Sequence, residues 1–427
     1  MKRVYRASKP EIEMKIERRE FLELVGRTAA AGAVLLDARS VKGQRPQPKS
    51  EFDYVDWSWE NWRRITKAER PQITSAQSGM AELIDLLDPK DTRTQLPQAW
   101  QKRREDIKSR LRLFLGDPPS SKPPLEAKIL EEVSSETHIL RRLVYQTEPT
   151  EFVPSYLLIP ADLKRPAPVV LCPHQTTQAG KKEPAGLAGN PQLHTALHLV
   201  KRGFVTFTYD ALCFGERHDA ASGHYGDAIP FYRKHLGWSL MGKMVWDLSR
   251  AVDYLRTLDF IDPNRIASIG HSHGGYTTLF GMALDERIAV GVSNCGFDTF
   301  RIDGNTWRWS RATALLPKLG FYVTNPRLNM DFYRAVPDSG VVDVPFEMHE
   351  VLALIAPRPL LLSTSDEDFV FPNGGWSARR ALARVGPVYR LLGRPDNLSS
   401  FYFEGGHNFT TEASGNAYAW LERRLRP

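Results

Sequence analysis

The stretch Arg265-Ile266-Ala267-Ser268-Ile269-Gly270-His271-Ser272-His273-Gly274-Gly275-Tyr276 limits the possible folds of this chain more than any other. A β-rich run delivers the backbone into Gly-x-Ser-x-Gly, and a helix-capable stretch follows. A serine held between a strand and a helix needs a sharp turn, and glycines are required where neighbouring backbone crowds that turn. The turn lifts the hydroxyl clear of the sheet and sets it beside a helix N-terminus. The backbone N–H of His273 is then placed to help bind an oxyanion. Ser272 is therefore a candidate nucleophile. Two other readings compete with this one. The stretch could be a glycine-rich turn without chemistry, or His271 and His273 could be a metal-binding pair. The second needs further ligands within reach, and the sequence offers none that stands out, so no metal or other cofactor is expected.

A serine hydroxyl is a weak nucleophile until a base is oriented on it. Where serine occupies such a turn in a strand-helix fold, an acid and then a histidine follow along the chain. The run Ser400-Phe401-Tyr402-Phe403 reads as a late strand and leads into Glu404-Gly405-Gly406-His407, which makes His407 the candidate base. Upstream of it, Leu360 to Ser365 leads into Asp366-Glu367-Asp368-Phe369-Val370-Phe371-Pro372. Asp368 is preferred as the acid because a proline stands four residues later, as is common in such loops. Asp366 and Glu367 stay open. The acid would fix the imidazole tautomer and stabilise the imidazolium as it forms. A second oxyanion donor is expected after the strand Val169-Val170-Leu171-Cys172, where the backbone N–H of Gln175 is the candidate.

From Glu126 onward, strand-like and helix-like runs alternate. Strands are expected over residues 138–145, 155–159, 168–172, 204–209, 265–269, 288–293, 359–363 and 399–403, with helices clearest at 241–258 and 376–385. Such alternation implies an α/β fold, a mainly parallel sheet covered by helices on both faces, with antiparallel strands leading in. Residues 41–125 read as a linker and a helical N-terminal extension, with helical spacing at 61–65, 81–87 and 99–115. Residues 126–427 make the candidate catalytic domain, and 297–346 a lid or substrate wall inserted in it.

The net charge of +7 is no nucleic-acid footprint, because much of the excess falls within the first fifty residues and not on a folded face. Cys172, Cys213 and Cys295, an odd count without Cys-x-x-Cys spacing, read as buried free thiols. No apolar run approaches the ~20 residues of a membrane span. Near the start, Arg18-Arg19 with Phe21-Leu22 and an alanine-rich stretch resembles a bacterial twin-arginine signal, with Glu17 and Glu23 departing from its pattern. Residues 1–40 are thus expected to direct export, with a short amphipathic helix and a cytoplasmic location as the alternative.

The triad order and the stretches Val153 to Pro160, Tyr209 to Arg217, Trp246 to Leu255 and Ala356 to Leu360 resemble the dienelactone-hydrolase-like and acetyl-xylan-esterase-like branch of the α/β-hydrolase superfamily. The resemblance covers roughly residues 125–427. It implies cofactor-free hydrolysis of a carboxylic ester through an acyl-enzyme, on a small-molecule or O-acetylated carbohydrate ester. Ser272 stands where true dienelactone hydrolases carry cysteine, and His174-Gln175 where many relatives have His-Gly. A prolyl-oligopeptidase-like peptidase and a catalytically silent binding module are the competing functions. His194 with His198, His218 with His224, and Trp307 with Trp309 are further groups that could approach a ligand, with plain packing as the alternative.

Overall fold

The apolar, β-branched runs beyond Glu126 assemble into one sheet. The computed structural model describes residues 59–72, 77–78, 83–88, 90–163, 166–223, 225–300, 309–310, 313–322, 328–329, 334–335 and 343–425. Its principal strands are β1 (Lys128–Ser134), β2 (His138–Glu148), β3 (Glu151–Pro160), β4 (Ala167–Leu171), β5 (Val205–Tyr209), β6 (Ile261–His271), β7 (Val290–Asn294), β8 (Leu360–Ser365) and β9 (Leu398–Phe403). They lie in the spatial order β9-β8-β7-β6-β4-β5-β3-β2-β1. From β9 to β5 every neighbouring pair is parallel, while β3, β2 and β1 join antiparallel. Strands β4, β5, β7 and β8 are buried along their whole length, as a parallel sheet covered on both faces requires.

The helices are α1 (Trp59–Thr66), α2 (Leu96–Leu115), α3 (Thr195–Val200), α4 (Ala228–Lys234), α5 (Leu240–Leu255), α6 (His273–Leu284), α7 (Met348–Ile355), α8 (Gly374–Leu391) and α9 (Thr411–Leu425). Alternate residues of β4 serve opposite layers, as the pleat dictates. Val169 and Leu171 join one core with α5, α6 and α7, whereas Val170 and Cys172 join another with α3 and α9. Trp59, Trp62, Trp100, Ile107 and Phe114 of α1 and α2 belong to the first core, so these helices pack on the sheet layer. Arg110 of α2 donates to Pro345 O at 2.7 Å and pairs at 2.9 Å with Glu350 inside α7.

Residues 83–88 are not helical, although the apolar spacing of 81–87 suggested a helix. The carbonyls of Leu83 and Ile84 accept from Arg384 and His349, while Leu83 and Leu86 anchor the loop in the core. Side chains of the body thus take the acceptors a helix would have used. Strand β1 and helix α9 went unread in the sequence. Every residue of β1 is exposed, so it carries no alternation to read. The candidate export segment, most of 301–342, Trp307 and His224 lie outside the described residues. Among the described residues no helix is long and apolar enough to cross a membrane.

Candidate active site

Strand β4 is followed by β5 on one side of it, and β6 by β7 on the other. The loops leaving β4 and β6 therefore meet where the sheet order reverses, the crevice in which open α/β sheets bind ligands. Gln175 follows β4 and Ser272 follows β6.

Ser272 has φ 52° and ψ −115°, a region that non-glycine residues occupy at a cost of about 1–3 kcal/mol. Its amide donates to Asn294 O at 2.9 Å, which pins the turn to β7. A Cβ on Gly270 would lie 2.1 Å from the Gly274 carbonyl carbon, and one on Gly274 would lie 2.1 Å from Pro173 O. The two glycines allow backbone to touch backbone across the turn and against the β4 loop.

His407 reaches this turn from the loop after β9. Its Nε2 lies 2.9 Å from Ser272 Oγ, and its Nδ1 lies 2.8 and 3.0 Å from the two Asp368 carboxylate oxygens. Asp368 Oδ1 also accepts the amides of Val370 and Phe371 at 2.8 and 2.9 Å. Burial pushes the Asp368 carboxyl up, but hydrogen bonds from His407 and these amides outweigh it and hold the group below the ordinary carboxylate range. The ionised acid fixes the proton on Nδ1 and leaves Nε2 as acceptor for the serine proton. The remaining carboxylates are engaged elsewhere. Asp366 forms a two-pronged pair with Arg379 at 2.8 and 2.9 Å, and Glu367 accepts the Gly405 amide at 3.2 Å.

On the other side of the serine, His174 is buried and fully bonded. Its Nε2 accepts the Ala211 amide at 3.1 Å, so Nδ1 carries the proton and donates to Gln175 O at 2.5 Å. Burial, the largest influence, keeps this ring below the ordinary histidine value, consistent with a neutral imidazole. His273 Nδ1 lies 3.2 Å from His174 O, tying the first turn of α6 to the peptide before Gln175. The Gln175 side chain donates to Glu183 at 3.2 Å. The loop that follows is anchored to the body. Buried Lys181 pairs with Asp210 at 2.7 Å and Glu216 at 2.5 Å, and its amide donates to Asp210 at 2.8 Å.

The metal readings find no support in these contacts. His273 points its Nε2 at Met244 Sδ, 3.2 Å away, and His271 Nδ1 faces Asn294. His194 and His198 are bonded to Ala188 O and Tyr418 Oη, and His218 pairs with Asp227 at 2.6 Å. Cys295 Sγ lies with Asp368 and His407 in a group spanning 4.8 Å. Burial first, and then the Asp368 charge, push that thiol well up, so it stays protonated and faces Asn408 O at 3.7 Å. All three cysteines are free and buried, and burial alone lifts Cys172 to about 12. Trp309 is packed against Tyr276 and Phe280 of α6, 4.7 and 5.4 Å between centroids. Sequence reasoning missed His271 and Asn294 as neighbours of the base. His271 lies inside the Gly-x-Ser-x-Gly motif and Asn294 ends a strand, and neither position carries a signal of its partner.

A mainly parallel sheet with this strand order, and a serine, a histidine and an aspartate bonded in series over its C-terminal edge, define an α/β-hydrolase. Residues 176–393 match the family described as glucuronyl esterase, fungi. The chain belongs to that family, and the match makes it a carboxylic ester hydrolase. It is 28% identical over 330 residues to the putative hydrolase YtaP of Bacillus subtilis, covering 75% of this chain and all of that protein. To the 4-O-methyl-glucuronoyl methylesterase of Phanerochaete carnosa it is 28% identical over 246 residues, 53% of this chain and 56% of that one. A glucuronoyl esterase structure from Solibacter usitatus superposes with TM-score 0.62 at 19% identity, covering 82% of this chain and 99% of the other, which shows a shared fold.

Proposed function

We propose that this chain is a serine esterase acting on carbohydrate esters, with an ester of a glucuronic acid carboxyl as its substrate. The single observation that carries the mechanism is the bonded series Asp368–His407–Ser272 on a strained turn. His407 Nε2 takes the hydroxyl proton as Ser272 Oγ attacks the ester carbonyl carbon, and Asp368 steadies the imidazolium. The carbonyl oxygen gains the negative charge and is met by the backbone N–H groups of His273 and Gln175. Collapse of the tetrahedral intermediate breaks the bond to the alkoxy group, which leaves as the alcohol with the proton from His407. Water then attacks the acyl-enzyme, giving its proton to His407, and the carboxylate departs as Ser272 recovers its hydroxyl. Neither step needs a metal or organic cofactor.

Membership of the glucuronyl esterase family supports the uronic ester over an O-acetylated sugar, because the two place the carbohydrate on opposite sides of the scissile bond. Purified enzyme should be compared on the methyl ester of glucuronic acid, acetylated xylan and p-nitrophenyl acetate, beside Ser272→Ala. Turnover of the methyl ester, abolished in the variant, is the expected result. Preference for acetylated xylan would transfer the carbohydrate to the alcohol side. Undiminished activity in Ser272→Ala would overturn the mechanism.

A further inference from the structure

Asn294 ends β7 and is wholly buried. Its main-chain carbonyl accepts the Ser272 amide at 2.9 Å. Its side-chain Nδ2 donates both hydrogens, one to Asn408 O at 2.9 Å and one to His271 Nδ1 at 2.8 Å. Its Oδ1 accepts the Ser363 hydroxyl at 2.7 Å. Turning the amide over would set oxygen against the Asn408 carbonyl, so the orientation is fixed by its partners. Asn408 is the residue after His407. A single side chain thus joins β8, the strand that leads into the serine, and the loop that carries His407.

The bond to His271 has a chemical consequence. A ring nitrogen that accepts from an amide N–H carries no proton, so His271 is a neutral imidazole with hydrogen on Nε2. Its ring lies against that of His407, 4.6 Å between centroids. Burial first, and then the positive charge His407 can carry, hold His271 well below the ordinary histidine value. The described titratable groups around the two rings are Asp368 from the β8–α8 loop, Cys295 after β7, and the rings themselves.

We propose that Asn294 is a positioning residue of the hydrolytic site, fixing the His407 loop and keeping His271 neutral so that His407 alone takes up the proton. The proposal rests on His407 being the base. Loss of the amide would free the Asn408 carbonyl, loosen the His407 loop, and open His271 Nδ1 to protonation. A proton there would repel the imidazolium that His407 must form.

The test uses the full-length enzyme and p-nitrophenyl acetate as probe. Asn294→Leu keeps the volume and the main-chain bond to Ser272 but donates nothing. It should lower kcat about 10- to 100-fold, the scale set by misplacing a catalytic group, with KM nearly unchanged. The acid limb of its kcat–pH profile should move to higher pH, which loosened packing alone would not produce. Ser363→Ala, which leaves Asn294 in place and removes only the bond to its Oδ1, serves if the leucine variant does not fold. It should show a smaller loss with the same direction of pH shift. If a folded variant keeps the wild-type kcat and acid limb, the proposal falls while the triad stands. If Ser272→Ala retains activity, it is the underlying mechanism that falls.

Discussion

Asp368→Asn offers a sharp test of how the base is oriented. In the wild type, Asp368 Oδ1 accepts the amides of Val370 and Phe371, and Nδ1–H of His407 is shared by both carboxylate oxygens. An asparagine must satisfy the same two amides with its one carbonyl oxygen. That choice turns its NH2 group towards His407 Nδ1, which can then only accept. The proton moves to Nε2 and faces Ser272 Oγ across a 2.9 Å contact, so the serine proton has no acceptor. Reversing the asparagine would leave two amides facing an NH2 group, each a buried unmet donor at about 1–3 kcal/mol, so the ring yields first. A wrong tautomer of this kind costs about 10⁴ in kcat, or about 5 kcal/mol of transition-state stabilisation. Steady-state kinetics on a soluble ester at neutral pH, with thermal unfolding to check the fold, would measure it. Asp366→Asn, which loses only the surface pair with Arg379, should stay within about twofold. A loss below tenfold in Asp368→Asn, or an equal loss in Asp366→Asn, would refute the reasoning.

Arg110→Ala should destabilise the fold by about 3 kcal/mol at neutral pH, because it removes the close, buried partner of Glu350 and leaves that carboxylate the longer 3.5 Å contact with Arg103; denaturant unfolding would read it. Burial works to raise the Glu350 carboxyl, yet Arg110 holds it below the ordinary range. The pair's contribution is therefore complete above the unfolded carboxylate value and fades as pH falls through the folded one, so the gap to the variant should narrow in acid. Gly274→Ala places a methyl 2.1 Å from Pro173 O and should separate the β4 loop from the serine turn, lowering kcat about a hundredfold along with Tm. A reporter fused behind residues 1–40 should be exported from a bacterial cytoplasm, and retained when Arg18 and Arg19 are both changed to lysine. Export of that variant would count against the twin-arginine reading.

The strand-helix alternation, the serine turn and the residues brought to it were legible because each depends on local pattern. Gly270 is demanded by its contact with Gly274 inside the serine turn, and the run from Leu360 to Ser365 carries its own strand signature. What the sequence left open was decided by distant partners. Asp366 and Asp368 are two residues apart and chemically alike, and it is Arg379, a turn into α8, that captures the first. Residues 83–88 have a helix-like spacing, but Arg384 and His349 claim their carbonyls. The loop after β4 carries no local mark of its anchoring, because the buried counter-charge for Lys181 comes from Asp210, after the next strand.

The three sheltered thiols give this enzyme a set of built-in clocks. Cys172 follows β4, Cys213 follows β5 and Cys295 follows β7, each at less than 2% exposure, and none shares a disulfide with another. A maleimide added to the native protein can react only when the local structure opens, so its rate at each position reads the opening frequency of one edge of the crevice. Occupancy of the crevice by substrate or inhibitor should slow Cys295, grouped with Asp368 and His407 within 4.8 Å, more than Cys172, which shares the layer with α3 and α9 but not that group. The same protein that hydrolyses the ester would then report, without an added label site, which wall of its cleft moves to admit it.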